Sequence, residues 1–265
     1  MTSSGARRGS LAGRVALVTG AARNIGAVVA ERLAEDGAAV AINHRGALGS
    51  DDALALVERI RAAGGAAEAF VADVGDEDQV EAMVAGVRER LGPPSILINN
   101  AAAAVAGQSS WAELAVADWD AVLHTNVTGA FICAKAVYPA MAELGRGCIV
   151  QMSSVRVPLG RPGNVHYTSS KGALLGMTRV LAREMGPQGV TVDSIIVGAI
   201  RTSAESAYGS QEELDRMLLD LQAIKRRGMP ADVAALAALA SFLASDDASF
   251  ITGQAFTVDC GWVMQ

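Results

Sequence analysis

The stretch RVALVTGAARNIGAVVAERLAEDG, Arg14–Gly37, decides the fold. Its first part is a short β-branched run bounded by Gly20, and its second part sets Ile25, Val28, Val29 and Leu33 on one helical stripe that Gly37 ends. A strand therefore passes through a glycine turn into a helix. Outward from this unit the rhythm repeats: AAVAIN precedes DDALALVERIRAAGG, AEAFVADV precedes EDQVEAMVAGVRERLG, and SILINN follows. Farther on, the pattern predicts a long helix from about Val116 to Leu144, a strand at CIVQMS, a helix through Tyr167 to Met185, a strand at TVDSIIV and a last strand near AFTVD. Strands alternating with helices call for right-handed crossovers, so the expected fold is α/β: a doubly wound sheet of about seven parallel strands with helices on both faces.

Composition sets the bounds. A chain of 265 residues with 51% apolar content buries a large core. One domain is expected over 13–265, after a small, polar, flexible tail at 1–12 that lacks the apolar segment of a signal peptide. A net charge of −6 without a Lys/Arg stripe argues against a nucleic-acid partner. The longest uncharged run, Ser95 to Ala112, holds Asn99, Asn100, Gln108, Ser109 and Ser110, and AALAALASFLA is too short to span a bilayer. No membrane association and a cytoplasmic location are the expectation. Cys133, Cys148 and Cys260 are widely spaced in apolar stretches and read as buried thiols, and no metal site is indicated. The polar stretch Arg201 to Gly228, with YGSQEEL inside it, reads as a mobile helical lid over about 201–228.

TGAARNIG, Thr19–Gly26, opens the first helix directly after the first strand, where backbone N–H groups can hold a pyrophosphate and glycines permit its close approach. A plain strand-to-helix turn is the alternative. The stretch resembles the T-G-x-x-x-G-x-G pattern of the classical short-chain dehydrogenase/reductase family, with Asn24 at the middle glycine, a residue that tolerates left-handed backbone angles. The resemblance implies a single-domain Rossmann-type fold with a dinucleotide held by Gly20, Arg23, Asn24, Ile25 and Gly26. It extends that site to Asp73 and Val74 in ADV, beside the adenine, and to Asn100, Ala101 and Ala102 in NNAA, the family's N-N-A-G. Val197, Gly198, Ile200 and Thr202 in VGAIRT match the family's P-G-x-x-x-T, with valine for proline, and Cys260 in VDCGW stands at a usual glycine. The second strand ends in Asn43, His44 and Arg45, without the carboxylate that would take ribose hydroxyls. Arg45 and Arg23 can face a 2′-phosphate instead, so NADP(H) is preferred and NAD(H) possible; two solvated surface arginines are the alternative.

VHYTSSKGAL, residues 165–174, puts Tyr167 and Lys171 at i and i+4 on one helical face. A phenol titrates near ~10, so action at neutral pH requires about 3–4 kcal/mol in favour of its ionised form. An ammonium about 4 Å away supplies ~1 kcal/mol in water and ~4 kcal/mol at an effective dielectric near 20, which places the pair in a sheltered cleft. Thirteen residues earlier, Ser154 ends a strand and can donate to a substrate carbonyl oxygen; Ser153 should face the opposite way. Asn126, in HTNVTGAF, is costly in mid-helix. The resemblance gives it the role of deforming the helix and holding a water that links the lysine to solvent.

The match runs from about Gly13 to Met264 and implies catalysis by Asn126, Ser154, Tyr167 and Lys171, with Tyr167 and Lys171 also touching the cofactor. By resemblance to the 3-oxoacyl-carrier-protein reductase-like members, the expected activity is NADPH-dependent reduction of a ketone, with a small-molecule carbonyl or alcohol substrate and a homotetramer built on the helices carrying Asn126 and Tyr167. Ser154, Arg156 and Tyr167 would meet the substrate, Arg156 as a partner for an anionic one; an arginine facing solvent is its alternative. His166 and Trp111 read as packing residues. An NAD-dependent alcohol dehydrogenase, a non-catalytic NADP(H)-binding scaffold and a purely structural module are the competing readings.

Overall fold

Along β1 (Val15–Val18), Val15 and Leu17 enter one hydrophobic core while Ala16 and Val18 enter another, so successive side chains serve opposite faces of one sheet. The computed structural model describes residues 10–46, 49–103, 110–200, 211–226 and 230–264. Its remaining strands are β2 (Ala39–His44), β3 (Ala66–Val71), β4 (Ile96–Asn99), β5 (Gly147–Ser154), β6 (Val190–Val197) and β7 (Ala255–Val258). All pair in parallel, in the order β3-β2-β1-β4-β5-β6-β7. The strand order reverses between β1 and β4, and their carboxyl ends part to leave a crevice.

Helices cover both faces. On one side α1 (Asn24–Glu35), α2 (Ser50–Ala62) and α9 (Pro230–Ala244) bury Leu33, Leu56 and Leu236 against Val18, Ile42 and Ile98. On the other, α3 (Glu77–Arg90), α5 (Gly129–Leu144) and α7 (Val165–Met185) bury Val80, Val137 and Ala182 against Leu17, Leu97 and Ile149. Each such side chain contributes about 1.5–3 kcal/mol by leaving water. Between β5 and α7 lies the single-turn α6 (Arg156–Leu159), and α8 (Gln211–Leu221) lies within the stretch expected to be a lid. The parts of that stretch at 201–210 and 227–228 lie outside the described residues.

The long helix is deformed at Asn126, as the resemblance implies: α4 (Val116–Leu123) gives way to a π turn over His124–Thr128 before α5 begins. Two expectations need correction. Leu11, assigned to the tail, is fully buried, and its N–H donates to the Asp36 carbonyl at 2.9 Å. Cys260 is only half-buried and carries φ 61°, because the bend after β7 needs a left-handed residue there. Cys133 and Cys148 are buried, which pushes each thiol up to about 12. No helix among the described residues is long and apolar enough to cross a membrane.

Asp193 sits fully buried in β6; its Oδ1 accepts from the Gln254 N–H at 2.9 Å, while Oδ2 has no hydrogen-bond partner among the described residues. Burial raises its pKa. With the folded value above the unfolded one, its stabilising contribution is complete below the ordinary carboxylate range and is lost as pH rises through the folded value. Asp193→Asn keeps the Oδ1 acceptor and removes the charge. Thermal melts should show it more stable than the native chain at pH 8, by about 1–3 kcal/mol, with the gain vanishing near pH 4.

Candidate active site

The crevice is stitched from its floor upward. Thr19, at the end of β1, accepts hydrogen bonds on Oγ1 from the N–H groups of Asn100 and Ala101, each at 3.0 Å, and donates to the Ile98 carbonyl at 3.3 Å. Asn100 in turn donates from Nδ2 to the carbonyls of Thr19 (3.0 Å) and Gly20 (3.1 Å). The first turn and the end of β4 are thereby held as one surface. Gly20, at φ 60°, lies so close that an added Cβ would stand 2.9 Å from Ala101 Cα, and a Cβ on Gly26 would stand 2.6 Å from Asn100 Nδ2 and 2.7 Å from the Gly20 carbonyl oxygen. Only glycine fits at either position. Asn24 takes φ 53°, the left-handed angle asparagine tolerates, just where Arg23 leads into α1. The first turn of α1 carries no acid, so no carboxylate there offsets the positive end of the helix dipole at the crevice.

This surface opens a cleft of about 530 Å³. Gly20, Arg23, Asn24, Ile25 and Gly26 line it from the first turn, Asn43, His44 and Arg45 from the end of β2, Asp73 and Val74 from beyond β3, and Asn100, Ala101 and Ala102 from beyond β4. Within that set the roles divide. Asn43 is buried, accepting on Oδ1 from the Gly20 N–H (3.2 Å) and donating to the Ala72 carbonyl (3.0 Å), so it spaces three strand ends. The ring Nδ1 of buried His44 lies 3.1 Å from the Gly46 carbonyl oxygen. Arg45 is 71% exposed and 3.9 Å from Asp73 Oδ2, an ion pair of little energy that an incoming anion can replace. Arg23 is exposed at the same rim. A helix N-terminus, two glycines that approach it without side chains and two cations fit a dinucleotide with a pyrophosphate and a further phosphate.

The catalytic candidates gather where the cleft meets α7. Asn126, buried at the centre of the π turn, accepts on Oδ1 from the Ala103 N–H (2.7 Å) and donates from Nδ2 to the Ala103 carbonyl (3.2 Å) and to Ser170 Oγ (2.9 Å). Ser170 Oγ passes the connection to the Tyr167 carbonyl at 2.7 Å. Single π turns recur at functional sites because they re-aim one side chain inside a helix. Here that side chain is tied to the wall of the cleft, since Ala103 and Thr125 both line it.

At its carboxyl end β5 is bonded to α7: Lys171 Nζ donates to the Met152 carbonyl at 2.8 Å, and Ser153 Oγ donates to the Lys171 carbonyl at 3.0 Å. Ser153 is thus structural. Ser154 ends the strand with its Oγ accepting a long bond, 3.3 Å, from the Arg156 N–H. Lys171 is buried, which pulls its ammonium down to about 8, and Nζ lies 5.6 Å from the centre of the Tyr167 ring. Tyr167 itself is half-buried. Arg156 Nη2 donates to the carbonyls of Pro162 (3.2 Å) and Gly163 (2.7 Å), pinning the loop before α7. Val197 ends β6 opposite Ser154; Gly198 and Ile200 line a separate cavity of about 160 Å³ beside Gln222 and Cys260. Thr202 lies outside the described residues. Thr19, Ser170 and the Met152 carbonyl were not singled out from sequence; for Ser170 the available signal was a small hydroxyl three residues after Tyr167 on the same helix. Among the described residues no group of three or more His, Cys, Asp or Glu side chains could hold a metal ion.

A sequence model described as enoyl-(acyl carrier protein) reductase matches residues 20–263. The chain is 36% identical over 249 residues to the 3-oxoacyl-(acyl-carrier-protein) reductase FabG of Staphylococcus aureus strain Mu50, covering 94% of this chain and 98% of that protein. Among solved structures it resembles a blue fluorescent protein from a metagenomic library in complex with NADPH (TM-score 0.87, 35% identity, 96% and 100% of the two chains). It also resembles a gluconate 5-dehydrogenase of Burkholderia cenocepacia J2315 in complex with NADP and tartrate (TM-score 0.88, 33% identity, 97% of each chain). With the seven-stranded parallel sheet, the glycine crevice and the Tyr167–Lys171 turn, these matches make the chain a member of the classical short-chain dehydrogenase/reductase family of oxidoreductases.

Proposed function

We propose that the chain is an NADPH-dependent ketone reductase in which Tyr167 is the acid/base group. The observation that carries this reading is the pair of bonds that fasten α7 to the end of β5, Lys171 Nζ to the Met152 carbonyl and Ser153 Oγ to the Lys171 carbonyl, one residue from Ser154 and four from Tyr167. A bound nicotinamide supplies the hydride. Ser154 Oγ, which accepts only a long bond from the Arg156 N–H, donates to the carbonyl oxygen and stabilises the charge that develops there. Tyr167 gives its phenolic proton to that oxygen. Lys171, charged below about pH 8, stabilises the phenolate left behind. Asn126 holds the Ser170–Tyr167 turn from the cleft side and orients the same group.

The choice of NADP(H) rests on Arg23 and Arg45 at the cleft rim and on a β2 end, Asn43 and His44, without a carboxylate. Arg45→Ala should weaken NADPH binding about tenfold and leave NADH binding within about twofold, measured by fluorescence titration. Equal weakening of both removes Arg45 from the phosphate site. The activity itself is tested by NADPH consumption over ketones, keto esters, sugars, quinones and cyclic imines, with Tyr167→Phe as blank; NADPH binding without turnover of any of them would favour a scaffold. The large exposed side chains Phe131, Val165 and Val180 on α5 and α7 support a homotetramer built on these helices, checked by light scattering.

A further inference from the structure

We infer that Arg161 selects substrates carrying an oxyanion group, such as a carboxylate, at a distance from the reacting carbonyl. This deepens the reductase reading above and rests on it. Arg161 lies in the loop between α6 and α7, the segment that joins Ser154 to Tyr167. Two other elements converge on it. Nη2 contacts Met217 Sδ of α8 at 3.3 Å, and the guanidinium carbon stands 6.0 Å from the Trp262 ring in the segment after β7. All three side chains are half-buried.

The partners are what make this arginine unusual. A thioether is a weak acceptor and a ring face accepts no directed bond from all five guanidinium N–H groups. Arg32, Arg59, Arg88 and Arg90 each hold a carboxylate within 3.1 Å, whereas among the described residues none lies within 4.0 Å of Arg161. In a chain of net charge −6 acids are plentiful, so their exclusion from this half-buried cation leaves its forked donors for another anion. Arg156 supplies the framework. By binding the carbonyls of Pro162 and Gly163, it fixes the loop immediately after Arg161, and a fixed backbone presents the guanidinium with less loss of freedom on binding. Met217 of α8 and Trp262 after β7 touch the guanidinium itself through weak contacts that an anion can displace. The anion-binding role that sequence suggests for Arg156 thus passes to its neighbour five residues on.

The test compares 3-oxobutanoate, 4-oxopentanoate and 5-oxohexanoate with their ethyl esters as substrates of the NADPH-loaded native chain, Arg161→Met and Arg161→Lys. The native chain should prefer the acid over the ester for at least one chain length. Arg161→Met should lose about tenfold or more in kcat/KM on that acid, mainly through KM, while the esters stay within about threefold, and Arg161→Lys should recover part of the loss. Ester turnover in Arg161→Met also shows that the variant is folded. Equal losses on acids and esters would make Arg161 a fastening for the lid and overturn the proposal, as would a native preference for the ester at every length. If no oxo acid or ester is reduced while another carbonyl compound of the broader panel is, this proposal fails alone; if NADPH binds and nothing in either set is reduced, the reductase reading fails and this proposal with it; ester reduction without acid preference overturns this proposal alone.

Discussion

Tyr167→Phe should lower turnover of every carbonyl substrate by about 10³-fold and leave NADPH binding within a fewfold of native. The size follows from the role proposed for the phenol: general acid catalysis by a positioned side chain contributes about 10²–10⁴-fold. The selectivity for chemistry follows from structure. The change removes one oxygen from a half-buried ring, and the bonds that build the site, Asn126 to Ser170, Ser170 to the Tyr167 carbonyl and Lys171 to the Met152 carbonyl, use none of the phenolic oxygen. The pH profile gives a second readout. Burial pulls Lys171 down to about 8, so its cation is present below that pH and lost above it, and reductive turnover of the native chain should fall as pH rises past about 8. Tyr167→Phe should show no such limb in its residual rate. A variant that keeps more than a tenth of native turnover would remove the phenol from the chemistry.

Much of this arrangement is legible in the sequence because it depends on local patterns. Alternation in RVALVT and the stripe from Ile25 to Leu33 fix the first strand and helix, and the repeat of that rhythm gives the parallel sheet. Tyr167 and Lys171 meet because helical spacing brings i and i+4 together. What the sequence conceals depends on partners distant along the chain. The π turn is half such a feature: the resemblance implies a helix deformed at Asn126, but the group that accommodates the extra residue, the backbone of Ala103 bound by the Asn126 carboxamide, lies 23 residues away. Arg156 and Arg161 are indistinguishable by composition; only the fold shows that Pro162 and Gly163 carbonyls occupy one of them. Asn43 likewise reads as a cofactor contact from its position, yet its amide spans from the Gly20 N–H to the Ala72 carbonyl. Cys260 departs from the apolar pattern around it because the turn there requires a left-handed φ, which brings the thiol to half-burial.

The same chemical change at two glycines should have opposite signs. In α7, Gly176 has no atom within 4 Å of an added Cβ, so Gly176→Ala should stabilise the chain by about 0.5–1 kcal/mol through helix propensity alone. At Gly26 the new methyl would stand 2.6 Å from Asn100 Nδ2, 2.7 Å from the Gly20 carbonyl oxygen and 2.9 Å from Ala21 Cα. The last two are backbone atoms of the turn itself, so relief requires moving α1 away from the end of β4. Overpacking of this kind costs about 1–3 kcal/mol, a fall of several degrees in melting temperature for a chain of this size. The larger loss is in binding. Asn100 holds the Thr19 and Gly20 carbonyls, and that contact aligns the α1 N-terminus with the crevice floor; displacing it should weaken NADPH binding about 100-fold or more, by fluorescence titration at a temperature where the variant remains folded. Adding Asn100→Ala to Gly26→Ala removes one of the three clashes and leaves the two with backbone, so binding should not return. Native-like affinity in Gly26→Ala would mean that the phosphates do not rest on this turn, and the assignment of the cleft would have to move elsewhere.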